Sequence, residues 1–233
     1  MTPEQYELNQ ERIAEHRHER YEVDMVVDEK LTLKDFVVCS NVLRPEKTSA
    51  LYFARYLASE PRLYIDKMVM DMGCGSGIQG IVTGLLGASS VIFSDISLEA
   101  VDNTKENAVK FGLPDKSSVN RGDLFENIVE KVDLIIFNHP FFSADPLPDV
   151  PVTRAFFDSG ELIQRFLTQA PSYLNPGGSI VMPYFEFAGD VNNPEVQARK
   201  YSYDITLLHQ ITVDDVNLQK GIFSVFELKP KVG

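Results

Sequence analysis

Short apolar runs alternate with helix-length amphipathic segments from residue 68 to residue 182. The predicted strands cover 68–70, 91–93, 119–122, 133–137 and 179–182, and the predicted helices cover 78–86, 97–111 and 159–173. Strands separated by helices form βαβ units, so these segments predict one mostly parallel sheet. Residues 203–213 and 222–228 have strand patterns without a helix between them, which predicts a closing antiparallel pair. The pattern therefore indicates an α/β fold.

The first twenty residues have a different character. Glu and Arg are interleaved at helical spacing over residues 2–20, which predicts a helix in water, stabilised by pairs of opposite charge. His16 and His18 lie in this segment and are expected to be solvated. A secretory signal needs an apolar segment, which this polar and acidic N-terminus lacks.

Two strand patterns and one helix pattern connect this segment to the regular alternation. Residues 23–27 and 31–38 have the apolar character of strands, and 48–57 predicts a helix. We therefore expect residues 1–45 to form an N-terminal extension that consists of a helix and a short strand. Residues 46–233 are expected to form the main domain.

Composition is that of a water-soluble globular protein. The 233 residues are 44% hydrophobic and 24% charged, enough for one α/β domain with a full core. No apolar run approaches the roughly 18–20 residues that cross a bilayer, so no membrane contact is expected. Cys39 and Cys74 have neither the spacing of a metal site nor that of a disulfide framework. These features predict a cytoplasmic protein without a metal.

The net charge of −12 bears on the choice of partner. Proteins that hold phosphate backbones usually carry a basic face, and no Lys/Arg cluster is present here. The acidity favours a protein substrate over a nucleic acid without excluding the latter. It leaves the oligomeric state open.

A glycine-rich loop follows the first strand of the alternation. Asp71, at the end of that strand, precedes Gly73, Gly75 and Gly77 in a G-x-G-x-G pattern, in which Cys74 fills one intervening position. Glycines here allow a tight turn and close backbone approach to a ligand. The spacing differs from the G-x-G-x-x-G of dinucleotide sites, and the acid suits a cationic ligand and repels pyrophosphate. The alternative is a glycine turn that serves packing alone.

Acidic residues also end the next two predicted strands. Asp95, followed by Ile96, lies about 20 residues after the loop, where a carboxylate can accept both hydroxyl protons of a ribose. Asp123, followed by Leu124, can accept a hydrogen bond from an adenine amino group. Each acid alone could be an ordinary capping or loop residue. Three acids at three successive strand ends converge on the crevice where such sheets bind ligands.

The fourth strand ends at Asn138-His139-Pro140-Phe141. An asparagine oxygen and a nearby backbone carbonyl can each accept one proton of a planar amino group. These bonds orient the nitrogen for in-line attack and favour the positive charge that develops on it. An aromatic ring can stack on a planar substrate or face a sulfonium. The alternative is an ordinary exit from a strand through a proline turn.

Residues 71–78 resemble motif I of class I S-adenosylmethionine-dependent methyltransferases. Residues 138–141 resemble the N-P-P-Y/F motif of the N6-adenine and N5-glutamine methyltransferases and of the related small-domain RNA guanine methyltransferases. Residues 44–48 resemble the R-P-E-T segment of release-factor glutamine methyltransferases, and 160–162 and 174–178 resemble later segments of that group. The resemblance covers about residues 40–185.

This resemblance implies a Rossmann-like class I methyltransferase fold, with a mostly parallel sheet and a C-terminal antiparallel pair. It implies S-adenosylmethionine as cofactor and methyl transfer to a protein glutamine amide or an exocyclic base amine. The cofactor-binding residues predicted are Asp71, Gly73, Cys74, Gly75, Gly77, Asp95, Ile96, Asp123, Leu124 and Asn138. The catalytic residues predicted are Asn138, His139, Pro140 and Phe141, with the carbonyl of His139 and the oxygen of Asn138 holding the substrate nitrogen.

The chain departs from this group at two places. His139 replaces the first proline of the motif, which keeps the carbonyl and loses the fixed φ. About 40 residues precede Arg44, too few for the helical recognition domain of glutamine methyltransferases, which argues against a release-factor substrate. Residues 142–158 are expected to cover the substrate, with Asp158 among them.

Other functions remain open at this level. The motif at 138–141 could be incidental in a small-molecule methyltransferase, and an inactive protein of this fold could serve as a partner that stabilises another chain. The intact glycine loop argues against the inactive protein. A nicotinamide oxidoreductase is disfavoured by the glycine spacing and by Asp71.

Overall fold

The computed structural model describes residue 10 and residues 13–215 and 219–231. Residues 2–9, 11 and 12 of the predicted helix over residues 2–20 lie outside the described residues. Residues 10 and 13–15 are helical, whereas residues 16–20 are not, so the predicted helix is too long at its C-terminal end. The helices, labelled in chain order, are α1 (Ser49–Ser59), α2 (Ile78–Leu85), α3 (Leu98–Lys110), α4 (Glu161–Gln169) and α5 (Pro194–Ala198).

Seven strands form the main sheet, and they are numbered after the two strands of a separate N-terminal hairpin. They are β3 (Met68–Met72), β4 (Ser90–Asp95), β5 (Ser117–Arg121), β6 (Val132–Phe137), β7 (Leu174–Phe185), β8 (Tyr203–Asp215) and β9 (Gln219–Pro230). Their order across the sheet is β5-β4-β3-β6-β7-β9-β8. β3 to β7 pair in parallel, whereas β9 pairs antiparallel with both β7 and β8. The predicted α/β fold with a mostly parallel sheet and a C-terminal antiparallel pair is therefore confirmed.

The order of the sheet reverses beside β3, which lies between β4 and β6. β3 is bonded to β4 on one side and β6 on the other, so the loops after these strands leave the same edge in neighbouring positions. In open parallel sheets the crevice beyond the carboxyl ends of such strands is the usual ligand site. The topology therefore places three of the predicted motif segments together.

Close packing of α2 on the sheet depends on Gly80. A Cβ atom at this position would lie 2.2 Å from Cε1 of Phe93 and 2.9 Å from Cγ1 of Val91, both on β4. The missing side chain therefore allows the helix to approach the strand. This approach holds the loop between β3 and α2 against the sheet.

Two elements differ in length from the prediction. The predicted helix over 159–173 is α4 followed by a 3₁₀ turn at residues 170–173, because Pro171 lacks the N–H that would continue the α-helix. The predicted strand over 179–182 is the twelve-residue β7, which pairs with β6 on one side and with β9 on the other. Pairing on both sides extends a strand beyond its apolar centre.

An antiparallel hairpin of β1 (Tyr21–Val26) and β2 (Thr32–Val38) forms a separate sheet. Two buried asparagines of α3 bind its backbone. Asn107 Oδ1 accepts from Val37 N–H at 3.0 Å, and Asn103 Oδ1 accepts from Cys39 N–H at 2.8 Å. Buried side chains of the hairpin join the same apolar core as the main sheet. The hairpin is thereby fixed to α3.

The expectation of a solvated His16 is wrong. Its side chain is 1% exposed, and Nδ1 accepts a hydrogen bond from the backbone N–H of Arg44 at 2.9 Å. The ring also lies edge-on to Phe156, with 5.1 Å between centroids. His18 is half-buried, with Nε2 3.1 Å from the carbonyl oxygen of Val42. Both side chains are held by residues that are distant in sequence, which helical periodicity does not reveal.

Candidate active site

A cavity of about 690 Å³ opens at the carboxyl ends of the central strands. Its size lies within the range of about 300–1,000 Å³ that is usual for ligand pockets. The predicted residues on its wall are Gly73, Cys74, Gly75, Asp95, Ile96, Asp123, Leu124, Asn138, His139, Pro140 and Phe141. Asp71 and Gly77 are not on the wall. The structure therefore brings most of the predicted residues into one space.

The glycine loop forms one side of this cavity. Gly73, Gly75 and Gly77 have φ angles of 61°, 56° and 84°, a region that L side chains rarely adopt. A Cβ atom at Gly75 would meet no atom within 4 Å, because this backbone faces open space. A Cβ atom at Gly77 would lie 3.0 Å from Thr104, so this glycine serves packing against α3. Gly75 thus leaves room for a ligand to approach the main chain.

Asp95 is fixed at the end of β4. Its Oδ2 accepts from Gly75 N–H and its Oδ1 from Ser97 N–H, each at 2.9 Å. Burial raises the pKa of Asp95, opposed by these backbone hydrogen bonds. The carboxylate keeps unused lone pairs, and its orientation is set before a ligand arrives. This arrangement suits the recognition of ribose hydroxyls.

Asp71 lies behind the cavity wall and is 1% exposed. Its Oδ2 accepts from the backbone N–H of Gly80 at 2.8 Å, so the carboxyl group holds the first turn of α2. Burial raises the pKa of Asp71 to about 8, against the opposing effect of this hydrogen bond. A cation bound beside the loop would favour the ionised form.

Asp123 is bound by a residue that the sequence did not indicate. Arg165 of α4 donates from Nη1 to Oδ2 at 2.8 Å and from Nη2 to Oδ1 at 3.1 Å. Both residues line the cavity. Each carboxylate oxygen retains a lone pair, so Asp123 can still accept a hydrogen bond from a ligand.

Asn138 follows β6 directly and meets α1 across the cavity. Ser49 Oγ donates to Asn138 Oδ1 at 3.2 Å, and both residues line the cavity. Phe137, which precedes Asn138, pairs with Met72, which precedes Gly73. Since neighbouring strands are about 4.8 Å apart, the loop of glycines and the asparagine leave the sheet side by side.

His139 is a buried and neutral imidazole. Nε2 donates to the carbonyl oxygen of Asn192 at 2.7 Å, and the ring stacks on Tyr184 at 5.9 Å with a 14° angle between planes. Asn192 in turn donates from Nδ2 to the carbonyl oxygen of Asp158 at 2.7 Å. Burial lowers the pKa of His139 to about 4. Its side chain therefore supports the loop after β6 from within the protein.

Phenylalanine side chains form a large part of the cavity wall. They are Phe137, Phe141, Phe142, Phe156, Phe157, Phe185 and Phe187. Lys47 and Arg154 line the same cavity. Three of the phenylalanines belong to residues 142–158, the segment predicted to cover a substrate, and several other residues of that segment also line the cavity. Asp158 caps the start of α4, since its Oδ1 accepts from Leu162 N–H at 3.0 Å.

The sequence did not point to four residues of this region: Ser49, Arg165, Tyr184 and Asn192. Ser49 directly follows the R-P-E-K-T segment, which was a weak signal for its position. Arg165, Tyr184 and Asn192 lie outside any motif, and only the packing of α4, of β7 and of the loop after β7 brings them close.

A sequence model of the methyltransferase small domain matches residues 47–189, more than half of the chain. The chain belongs to the methyltransferase small domain family. Membership of this family, together with the fold, confirms the prediction of a class I methyltransferase family with S-adenosylmethionine as cofactor.

Curated relatives of this small-domain methyltransferase match it over about half of its length. A Methanocaldococcus jannaschii protein, named provisionally as a protein N5-glutamine methyltransferase, is 33% identical over 130 residues, which are 54% of this chain and 65% of that protein. A release factor glutamine methyltransferase from Rhodopirellula baltica is 30% identical over 127 residues, 49% of this chain and 43% of that protein. The chain thus spans less than two thirds of the length of these relatives.

A solved structure resembles almost the whole small-domain methyltransferase. The 16S rRNA N2 G1207 methyltransferase of T. thermophilus, in complex with AdoMet and guanosine, has a TM-score of 0.65 at 18% identity. The superposition covers 92% of this chain and 51% of the T. thermophilus chain. At this identity the likeness concerns the fold.

The cavity of this small-domain methyltransferase fits S-adenosylmethionine. Gly75 offers bare backbone to a ligand, and Asp95 holds an oriented carboxylate beside it. Among the described residues, no group of three or more His, Cys, Asp and Glu side chains could hold a metal ion. Within the same residues, no helix has the length and apolar character to cross a membrane.

Proposed function

We propose that this protein transfers a methyl group from S-adenosylmethionine to a planar nitrogen, a protein glutamine amide or an exocyclic base amine. One observation carries the proposal: Asn138 leaves β6 beside the glycine loop that leaves β3, because Phe137 and Met72 are paired. A nitrogen held by Asn138 therefore lies next to a cofactor held by the loop.

The residues of the cavity divide into two groups under this proposal. Gly73 and Gly75 hold the cofactor through backbone, Asp95 accepts hydrogen bonds from the ribose, and Asp123 accepts from the adenine amino group. When bound, S-adenosylmethionine supplies an electrophilic methyl group whose bond to sulfur breaks with both electrons going to sulfur. Asn138 Oδ1 and the carbonyl of His139 accept the two protons of the substrate amino group, which favours the charge that develops on nitrogen.

No strong base is needed for the proton that leaves. The nitrogen forms the new N–C bond with its lone pair, and the cationic product loses its proton readily to water. His139 stays neutral because its pKa is about 4, and its Nε2 is occupied by Asn192. Its side chain therefore orients the loop. Phe141 is expected to stack on the planar group.

Each of the two substrate classes, protein and nucleic acid, is supported by different observations. The curated relatives named for glutamine methylation and the net charge of −12 favour a protein. The phenylalanines of the cavity wall and the cations Lys47 and Arg154 suit a stacked base with a phosphate nearby. A small-molecule methyltransferase and an inactive partner protein are the alternatives.

The test uses methyl-labelled S-adenosylmethionine and a cell lysate, with wild-type protein and Asn138→Ala side by side. We expect label that depends on Asn138 and that is released by protease or by nuclease, which names the substrate class. Thermal unfolding serves as the control that Asn138→Ala is folded, and calorimetry measures the binding of S-adenosylmethionine to the wild type.

Two outcomes would contradict the proposal. Equal labelling by wild type and Asn138→Ala would show that Asn138 is incidental, as in a small-molecule methyltransferase. Binding of S-adenosylmethionine without label in any fraction would favour the inactive partner protein.

A further inference from the structure

Ser49 and Asn138 are 89 residues apart in sequence and hydrogen-bonded across the cavity. Ser49 Oγ lies 3.2 Å from Asn138 Oδ1, and the serine side chain is 8% exposed. We propose that Ser49 is a positioning residue that holds the Asn138 amide with its oxygen toward the substrate nitrogen. The inference rests on the proposed function, since it concerns the amide oxygen that accepts a hydrogen bond from the substrate amino group.

An asparagine amide needs a partner to fix its orientation. Its oxygen and its NH₂ group have nearly the same shape, and a rotation of 180° about χ2 exchanges an acceptor for a donor. The rotated amide would present N–H groups to the N–H groups of a substrate amine. Only one of the two orientations can therefore hold the substrate.

The position of Ser49 favours the orientation that is required. Ser49 is the first residue of α1, where free backbone N–H groups give the helix start a positive potential. The lone pairs of the hydroxyl oxygen are most stable when they face this potential, so the hydroxyl proton points away from the helix. The atom that meets this proton is an acceptor, Asn138 Oδ1.

The contact leaves Asn138 able to bind the substrate. A carbonyl oxygen has two lone pairs, and Ser49 occupies one of them. The second lone pair is available for a substrate N–H. The hydroxyl thus orients the amide without competing for the same site.

The backbone is fixed next to both Ser49 and Asn138. Thr48 Oγ1 accepts from Ala50 N–H at 3.3 Å as the N-cap of α1, and Gln79 Nε2 donates to the carbonyl oxygen of Ala50 at 3.1 Å. Asn138 follows directly on the buried end of β6. Because neither backbone can shift easily, the hydroxyl remains within reach of the amide.

The experiment compares Ser49→Ala, Ser49→Thr and Ser59→Ala. Initial rates of label transfer from methyl-labelled S-adenosylmethionine to lysate acceptors give the effect on turnover, and calorimetry gives the affinity for S-adenosylmethionine. We expect Ser49→Ala to lower the rate about five- to tenfold, the loss of one hydrogen bond, with cofactor affinity unchanged. Ser49→Thr keeps the hydroxyl and should restore the rate to within about twofold. Ser59→Ala, the same change at the exposed end of α1, is the control.

A second background separates orientation from general damage. In Asn138→Asp the side chain has two equivalent oxygens, so its rotation no longer matters. In this background, Ser49→Ala should lower the rate of label transfer by less than about twofold. The effects of the two substitutions are then non-additive. If Asn138→Asp has no measurable rate, the proposal is judged from Ser49→Ala and Ser49→Thr alone. A rate for Ser49→Thr that is as low as that for Ser49→Ala would then contradict it.

The failure of this inference is distinct from failure of the proposed function. If Asn138→Ala keeps its rate, the proposed function is wrong. If Asn138→Ala loses activity but Ser49→Ala matches wild type, or loses as much in both backgrounds, only the role of Ser49 is overturned. A fall in cofactor affinity or melting temperature that accounts for the lost rate would also overturn it.

Discussion

Arg165 holds the carboxylate of Asp123 with two parallel hydrogen bonds of 2.8 Å and 3.1 Å, at the wall of the cavity. The two side chains are 40% and 39% exposed, so the pair adds little to stability. Its geometry matters more, because both oxygens are fixed in direction. Asp123 is therefore presented to a ligand by α4 as well as by the loop after β5.

We expect Asp123→Ala to weaken binding of S-adenosylmethionine by about ten- to hundredfold, because a hydrogen bond to a charged acceptor is worth about 1.5–3 kcal/mol. Arg165→Gln should weaken it by a smaller factor, since it removes only the orientation of the carboxylate. Titration calorimetry measures both. Unchanged affinity in Asp123→Ala would mean that this carboxylate serves the ion pair alone.

Substitutions at two glycines should both lower stability, but only the one at Gly75 should directly obstruct the cofactor. Gly75→Ala places a methyl group in open space at φ 56°, so we expect a loss of about 1–2 kcal/mol in stability and a larger loss of cofactor affinity. Gly80→Ala places a Cβ 2.2 Å from Phe93, so overpacking should lower the free energy of unfolding by about 1–3 kcal/mol. Thermal unfolding and calorimetry test both variants. Similar cofactor affinity in Gly75→Ala and wild type would contradict the assignment of Gly75 to the cofactor.

The buried imidazole of His139 predicts a loss of stability in acid. Its pKa is lowered to about 4 in the folded protein, below the usual 6.5, so the unfolded chain binds more protons between these values. Stability should rise with pH over this window and be lost as the pH falls through it. Between pH 7 and pH 5 we expect wild type to lose on the order of 1–2 kcal/mol more than His139→Gln. Urea unfolding at the two pH values measures the difference, and equal losses would contradict the buried neutral state.

Asp71 predicts the opposite dependence. Its pKa is raised to about 8 by burial, so the folded protein binds more protons than the unfolded chain between about pH 4 and pH 8. Stability of the free protein should therefore fall as the pH rises through this window, and less so in Asp71→Asn, whose oxygen can still accept from Gly80 N–H. A cationic cofactor favours the ionised carboxyl, so affinity for S-adenosylmethionine should rise with pH more in wild type than in Asp71→Asn. Parallel profiles would show that Asp71 only stabilises α2.

The regular part of the fold could be predicted because its signals are local. Apolar runs marked β3, β4 and β6, and Ser97 begins α3 as its N-cap, accepting from Ala100 N–H at 3.3 Å. The lengths of α4 and β7 were less accurate. Pro171 ended the helix before the apolar pattern did, and pairing with β9 extended the strand beyond it.

The candidate site was predicted in part for the same reason. Strand ends can be located from the sequence, and the carboxyl ends of parallel strands meet at one edge of a sheet, so Gly75, Asp95 and Asn138 could be expected in one cavity. The position of Asp71 behind the wall could not be predicted, because Asp71 belongs to β3, where successive side chains point to opposite faces of the sheet, and the motif does not specify which face the ligand contacts.

By itself, the sequence determined the order of strands and helices, the glycine loop and the polar residues at the strand ends. These depend on local periodicity and on backbone preferences, which neighbouring residues set. Only the tertiary structure decided that Ser49 meets Asn138, that Asn192 receives the hydrogen bond of His139, and that His16 is buried. Each of these contacts joins residues 28 or more positions apart, as His16 and Arg44 are. They exist because helices and loops pack in one relative position, and no pattern within a single segment records that position.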